Sequence, residues 1–97
     1  MSRMEFRSWI RVPGLDIESD VAADLLDSLT ELHGDLGPVL GGAENGVEVV
    51  LATDKDEPVE AAEEMYIAVS ECLQAIGQPG LFPTHVEIEL VDDVVPA

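Results

Sequence analysis

The sequence predicts an α+β domain in which two helices cover one face of a four-stranded antiparallel sheet. Two segments alternate apolar and polar residues, two others repeat apolar residues every three or four positions, and an Asn-Gly pair joins two short apolar runs. A period of two is typical of strands, and the longer period is typical of amphipathic helices. The 97 residues provide chain for a single domain, with an expected ordered core over about residues 4–91.

The first element is an alternating segment over residues 4–12. Its even-numbered positions form the expected core face, and its odd-numbered positions carry Arg7, Trp9 and Arg11 on the other face. A Pro-Gly pair at residues 13–14 ends it, because proline has no N–H for the ladder.

The second element is predicted to be an amphipathic helix. Ser19 or Asp20 is expected to cap its beginning, and Gly34 is expected to end it. Its predicted apolar stripe comprises Val21, Leu25, Leu29 and Leu32.

A β-hairpin is predicted around Asn45-Gly46, because both residues of such a loop readily adopt positive φ. The expected register pairs Glu44 with Val47 and Leu40 with Leu51. The glycines between residues 34 and 42 predict a flexible loop that leads into an edge strand.

The second helix has the clearest helical periodicity in the chain, with Pro58 in its first turn and Gly77 after its last. A final strand follows over residues 84–91, with Val86, Ile88 and Leu90 expected to face the core. The predicted core stripe of this helix comprises Val59, Ala62, Met65, Tyr66, Val69, Cys72, Leu73 and Ile76.

The resulting order is strand, helix, strand, strand, helix, strand, which is the split βαβ or ferredoxin-like arrangement. Right-handed crossovers place both helices on one face and predict the strand order 4-1-3-2. Residues 92–97 are expected to form an acidic C-terminal tail.

The charge of the chain excludes several classes of partner. Four basic and 21 acidic residues give a formal net charge of −17, which repels nucleic-acid phosphates and anionic lipids. We therefore expect no nucleic-acid and no membrane partner. Without a long apolar run or a signal-peptide pattern, the chain is expected to be cytoplasmic.

The sheet face opposite the helices, here called the open face, is the predicted interaction surface. An outward Trp9 in mid-sheet is more apolar than a solvated face needs, and tryptophan and arginine are enriched at interface hot spots. We predict a non-enzymatic interaction or regulatory module that forms a homodimer through this face or binds a partner there. The alternative is simple cross-strand pairing of the arginines with Glu48, Glu87 or Glu89. The predicted interface residues are Arg7, Trp9, Arg11, Val50 and His85.

Two other functions stay open at this stage. One is an acidic mimic or antagonist whose helices dock on a basic, nucleic-acid-binding protein. The other is a small dimeric enzyme of the α+β-barrel kind, although no acid–base pair is identifiable. The predicted acidic helical face comprises Asp20, Asp24, Asp27, Glu31, Glu57, Glu60, Glu64 and Glu71.

No residue is predicted to be catalytic, to ligate a metal or to bind a cofactor. Cys72 lies on an apolar stripe and is expected to be an inert core thiol. His33 and His85 lack ligand spacing. The acidic residues over 54–57 lack the glycine and further ligands of a calcium loop, so they are expected to cap the second helix.

The turn Pro13-Gly14-Leu15-Asp16 is similar to the corresponding turn of ACT regulatory domains, which pair through their sheets and bind amino acids at the interface. The similarity covers four residues and does not assign the chain to that family. It implies that Gly14 and Asp16 lie nearest a ligand.

Overall fold

The computed structural model describes residues 4–78 and 80–92. Of the acidic tail expected over residues 92–97, it describes only the backbone of Asp92, which belongs to the last strand, and the rest lies outside the described residues. The elements in chain order are β1 (Met4–Pro13), α1 (Asp20–His33), a 3₁₀ turn (Gly34–Leu36), β2 (Val39–Ala43), β3 (Gly46–Lys55), α2 (Pro58–Ala75) and β4 (His85–Asp92).

The strands form one antiparallel sheet in the order β2-β3-β1-β4. The two longest strands, β1 and β3, are its centre and pair along their whole length, from Met4 opposite Lys55 to Pro13 opposite Gly46. The α+β class, the four-stranded antiparallel sheet and the two helices predicted from the sequence are thus confirmed.

A single apolar core lies between the helices and one face of the sheet. The even-numbered residues of β1 from Phe6 to Val12 are buried, as their alternation predicted. Leu25 and Leu29 of α1 and Met65 of α2 belong to the same cluster as these strand residues. Both helices therefore cover the same face, and the opposite face is left open.

Helix α1 begins and ends where the sequence predicts. Ser19 is its N-cap, and Ser19 Oγ accepts a hydrogen bond from the Ala22 N–H at 3.2 Å. The helix ends at His33 with Gly34 as its C-cap, but Gly34 is right-handed and begins the 3₁₀ turn, so it does not adopt the left-handed conformation of the expected C′ residue. The left-handed residue is Gly37, at φ 61°, and its N–H donates to the Gly34 carbonyl.

The hairpin forms, but its predicted register is wrong. Ala43 pairs with Gly46 and Leu40 with Val49, so the two-residue loop is Glu44-Asn45 instead of Asn45-Gly46. Asn45 has a positive φ of 66°. Gly46 is required in the strand instead, because the end of β1 passes directly against its Cα. The segment expected to be a flexible loop is largely ordered as the 3₁₀ turn and edge strand β2.

Helix α2 occupies the predicted segment but is rotated relative to its predicted stripe. Val59 and Tyr66 are 64% and 39% exposed, whereas Ala61 and Ala68 are fully buried. The small alanines allow the helix backbone to approach its neighbours, and this turns the larger residues outward. The residues that it buries are Ala61, Met65, Ala68, Val69, Cys72 and Leu73.

Strand β4 lies at the edge of the sheet and is less covered than predicted. Val86 and Leu90 pair with Ile10 and Phe6, which places them on the core side. They are nevertheless 36% and 47% exposed. The helices cover the sheet centre and leave this edge accessible.

Candidate functional site: the open sheet face

The centre of the open face is an apolar row that crosses three strands. Val39 of β2 pairs with Val50 of β3, and Val50 pairs with Trp9 of β1. Val39 is 59% exposed, while Val50 and Trp9 are half-buried. We call these three residues the apolar row.

Charged residues flank the apolar row on both sides. On one side Glu48 pairs with Arg11, which pairs with His85. On the other side Ala52 pairs with Arg7, which pairs with Glu89 (and Glu87 lies opposite Trp9). The open face therefore combines an apolar centre with charges of both signs, as interface surfaces often do.

The alternative of simple cross-strand ion pairing holds for one arginine. Arg11 Nε donates to Glu48 Oε2 at 3.4 Å, with side chains 56% and 29% exposed. A pair this exposed contributes about 0–1 kcal/mol. Arg7 makes no ion pair with the residues that the structure describes, so its guanidinium is available to another molecule.

The strand register brings the five predicted interface residues to one face. Their role as an interface stays a prediction. Sequence reasoning missed Val39, because the glycines that follow it hide the alternation that marks a strand face. Its pairing with Val50 extends the row to the β2 edge.

The residues of the predicted acidic helical face are exposed, with one exception. Glu64 is partly exposed, and both of its oxygens have partners: its Oε1 accepts a hydrogen bond from Thr53 Oγ1 at 2.6 Å, and its Oε2 lies 3.1 Å from Lys55 Nζ. Glu71 lies 3.8 Å from His33 Nε2 and remains exposed. The other exposed acidic residues of this face are Asp20, Asp24, Asp27, Glu31, Glu57 and Glu60.

The surroundings of the Glu64 carboxyl group lower its pKa. The hydrogen bond from Thr53 lowers the pKa of Glu64 most, the Lys55 ammonium lowers it further, and partial burial opposes both. Glu64 therefore connects α2 to β3 as a carboxylate whose oxygens are engaged by Thr53 and Lys55.

Replacing Thr53 with valine is expected to raise the pKa of Glu64 toward its ordinary value of 4.5. A carboxyl group with a lowered folded-state pKa stabilises the protein above its unfolded-state pKa, and this stabilisation is lost as pH falls through the folded-state value. Thr53→Val should therefore be less stable than the parent at pH near 7, and the difference should narrow in acid. Urea unfolding of both proteins near pH 7 and in acid measures this difference in the free energy of unfolding.

The matched control for this change is Thr30→Val, because the Thr30 hydroxyl donates to the Leu26 carbonyl at 2.8 Å and bonds no carboxylate. Its effect on stability should be independent of pH. A Thr53→Val deficit of equal size in neutral and acidic solution would contradict the assignment.

Cys72 and the acidic residues before α2 were the other candidates for chemistry or metal binding. Burial raises the pKa of the Cys72 thiol, which lies in the core. Of the acidic residues expected to cap α2, Glu57 occupies the N-cap position, but its side chain makes no capping hydrogen bond. Within residues 4–78 and 80–92, no group of three or more acidic, histidine or cysteine side chains is arranged to hold a metal ion.

The turn that resembles ACT domains builds the start of α1. Gly14 has a φ of 85°, and its N–H donates to the Asn45 carbonyl at 2.8 Å. Asp16 Oδ1 accepts from the Glu18 N–H at 3.0 Å, and its carbonyl accepts from Ser19 Oγ at 2.6 Å. These bonds account for Gly14 and Asp16 without a ligand.

In comparisons with known proteins, no family model, curated protein or solved structure matches this chain. Among the described residues, neither helix combines the length and hydropathy that crossing a membrane requires.

Proposed function

We propose that this chain is a non-enzymatic interaction module of ferredoxin-like architecture that forms a homodimer, open face against open face. The observation that carries the proposal is the apolar row of Val39, Val50 and Trp9, flanked by Arg7 and Arg11. A half-buried tryptophan between two arginines has the composition of an interface hot spot.

Electrostatics favours the open face over the acidic helical face for self-association. Two chains of formal charge −17 repel each other, and the repulsion is strongest where the acidic helical faces meet. Arg7 and Arg11 are both on the open face, so two copies repel each other less when their open faces meet than when their helical faces meet. Salt at 0.15 M screens exposed charges beyond about 8 Å, so dimerisation should strengthen as ionic strength rises.

The open face is also complementary to itself. It carries both arginines together with Glu48, Glu87 and Glu89. A twofold axis in the contact brings the same patch of both copies together, so arginines and carboxylates are present on each side of it. Arg7, which has no ion-pair partner among the described residues, lies at the surface that such an arrangement would bury.

Trp9→Ala is expected to weaken dimerisation about thirtyfold, because truncating a hot-spot residue costs about 2 kcal/mol or more. Sedimentation equilibrium over a range of concentrations in moderate salt measures the dissociation constant. The matched control is Tyr66→Ala, which removes an aromatic ring that is 39% exposed on α2 and should leave the constant unchanged. A parent chain that stays monomeric throughout, or equal losses in both variants, would refute the proposal.

The exposed acidic residues of α1 and α2 favour a second candidate, an antagonist that docks its helical face on a basic protein. Reversing Asp24 and Glu60 to lysine should abolish capture of a lysine-rich protein such as a histone and leave homodimerisation intact. Trp9→Ala should have the opposite pattern. The two functions are therefore separated by the same pair of variants.

A further inference from the structure

The two edges of the sheet differ in how they are protected against pairing with another chain. Strand β2 has 5 residues, contains Gly41 and Gly42 and follows Pro38, all of which weaken an edge for pairing. Strand β4 has 8 residues and contains no proline, glycine or lysine. Long, regular edges of this kind are templates for an additional strand.

Strand β4 pairs regularly with β1, and no other strand among the described residues pairs with its outer edge. Six consecutive residues, His85–Leu90, pair with β1 without a register shift. The Ser8 hydroxyl donates to the Glu87 carbonyl at 3.0 Å, which adds a partly buried hydrogen bond between β1 and β4. Five of the six side chains are exposed, and only Ile88 is half-buried.

The two faces of this edge have different chemistry. Val86 and Leu90 form an exposed apolar shelf on the helix side of the sheet. Glu87 and Glu89 lie exposed on the open-face side. A strand that pairs here places alternate side chains beside the shelf and beside the two carboxylates.

This alternation decides between a second copy and a different partner. Antiparallel pairing of β4 with β4 of another copy, centred on Ile88 so that Val86 lies opposite Leu90 on the helix side, sets Glu87 opposite Glu89 on the other side, in addition to the repulsion between two chains of charge −17. An extended segment in which lysine or arginine alternates with apolar residues places its apolar side chains beside the shelf and its basic side chains beside the two carboxylates. The negative charge of the chain also steers such a segment toward it.

We propose that the β4 edge binds an extended, basic amphipathic segment of another protein as a fifth strand of the sheet. Main-chain hydrogen bonds to β4 hold the segment, its apolar side chains cover Val86 and Leu90, and its basic side chains pair with Glu87 and Glu89. This surface is distinct from the apolar row and does not depend on homodimerisation.

The test uses a capped synthetic peptide of 8 residues, the length of β4, with alternating lysine and valine. Binding is measured on the Trp9→Ala variant, so that self-association does not affect the result. Amide hydrogen exchange should slow in β4 and remain unchanged in β2. Two control peptides have the same composition: one carries its lysines in one block, and the other is N-methylated and cannot pair with a strand. Each should bind at least about tenfold more weakly than the alternating peptide.

Leu90→Lys and Ile67→Lys provide the matched variants. The two side chains are 47% and 50% exposed, and both changes add one positive charge. Leu90→Lys should weaken peptide binding about tenfold by removing part of the shelf, whereas Ile67→Lys on the outer side of α2 should hardly change it. If Leu90→Lys does not fold, the N-methylated peptide still tests the proposal.

Three results would overturn this assignment. Equal binding of the alternating and block peptides would show charge attraction alone. Equal losses of peptide affinity in Leu90→Lys and Ile67→Lys would show that the peptide binds away from the β4 edge. Concentration-dependent protection of β4 amides in the Trp9→Ala variant without peptide would show that a second copy occupies the edge. None of these outcomes bears on dimerisation through the open face, which sedimentation of the parent chain decides separately.

Discussion

Gly46→Ala is expected to lower the free energy of unfolding by about 3 kcal/mol, a large part of the stability of a domain this small. A Cβ added at Gly46 would collide with the Val12 carbonyl oxygen and lie 2.7 Å from Pro13 Cα. Both obstacles are backbone atoms at the end of β1, so no side-chain rotation relieves them. Strand β3 would have to separate from β1 where the hairpin meets the sheet.

Urea denaturation followed by circular dichroism measures the loss. The midpoint should fall by about 1 M or more, because the slope for small proteins is about 1–3 kcal/mol/M. Gly41→Ala is the control: it also lies in the hairpin, and no atom comes within 4 Å of its added Cβ. It should leave stability unchanged or raise it by up to about 1 kcal/mol. Equal stability of the two variants would show that β1 does not press against Gly46.

The same glycine shows why local patterns predicted the hairpin and misplaced its register. The Asn-Gly signal concerns two adjacent residues and their turn preferences. The close approach of Pro13 to Gly46 joins residues that are distant in sequence, and it places the glycine in the strand. Asn45 then supplies the positive φ of the loop.

The candidate site was predictable where it depended on alternation within one strand. The period of two in β1 placed Arg7, Trp9 and Arg11 on one face, and the register agrees. Helical periodicity also put Glu64 on the outside of α2. It could not show that Thr53 and Lys55, at the end of the neighbouring β3, reach across to this carboxylate.

The exposed edge was unpredictable for a related reason. Alternation shows which side of β4 each residue faces, and Val86 and Leu90 do face the helix side. It does not show how far the helices extend over the sheet, which depends on packing around Ala61 and Ala68. Val86 and Leu90, the apolar residues of the proposed peptide-binding edge, were therefore predicted as core residues.

Leu29→Ala should cost about 3 kcal/mol of unfolding free energy, whereas Leu32→Ala should cost about 0.5 kcal/mol or less. The sequence pattern puts both leucines in one apolar stripe of the same helix. In the structure, Leu29 is fully buried in the core and Leu32 is 55% exposed in the last turn of α1. Truncating Leu29 leaves a cavity between the helices and the sheet, while truncating Leu32 exposes little that was covered.

The comparison is matched, because the two changes remove the same atoms from the same helix and alter helix propensity equally. Any difference in the urea midpoint therefore reports tertiary burial alone. Nearly equal losses would mean that Leu32 is covered in solution, and the acidic surface around it, with Asp27 and Glu31, would then be part of an interface. Sedimentation of Leu32→Ala would identify that interface, since self-association would weaken together with stability.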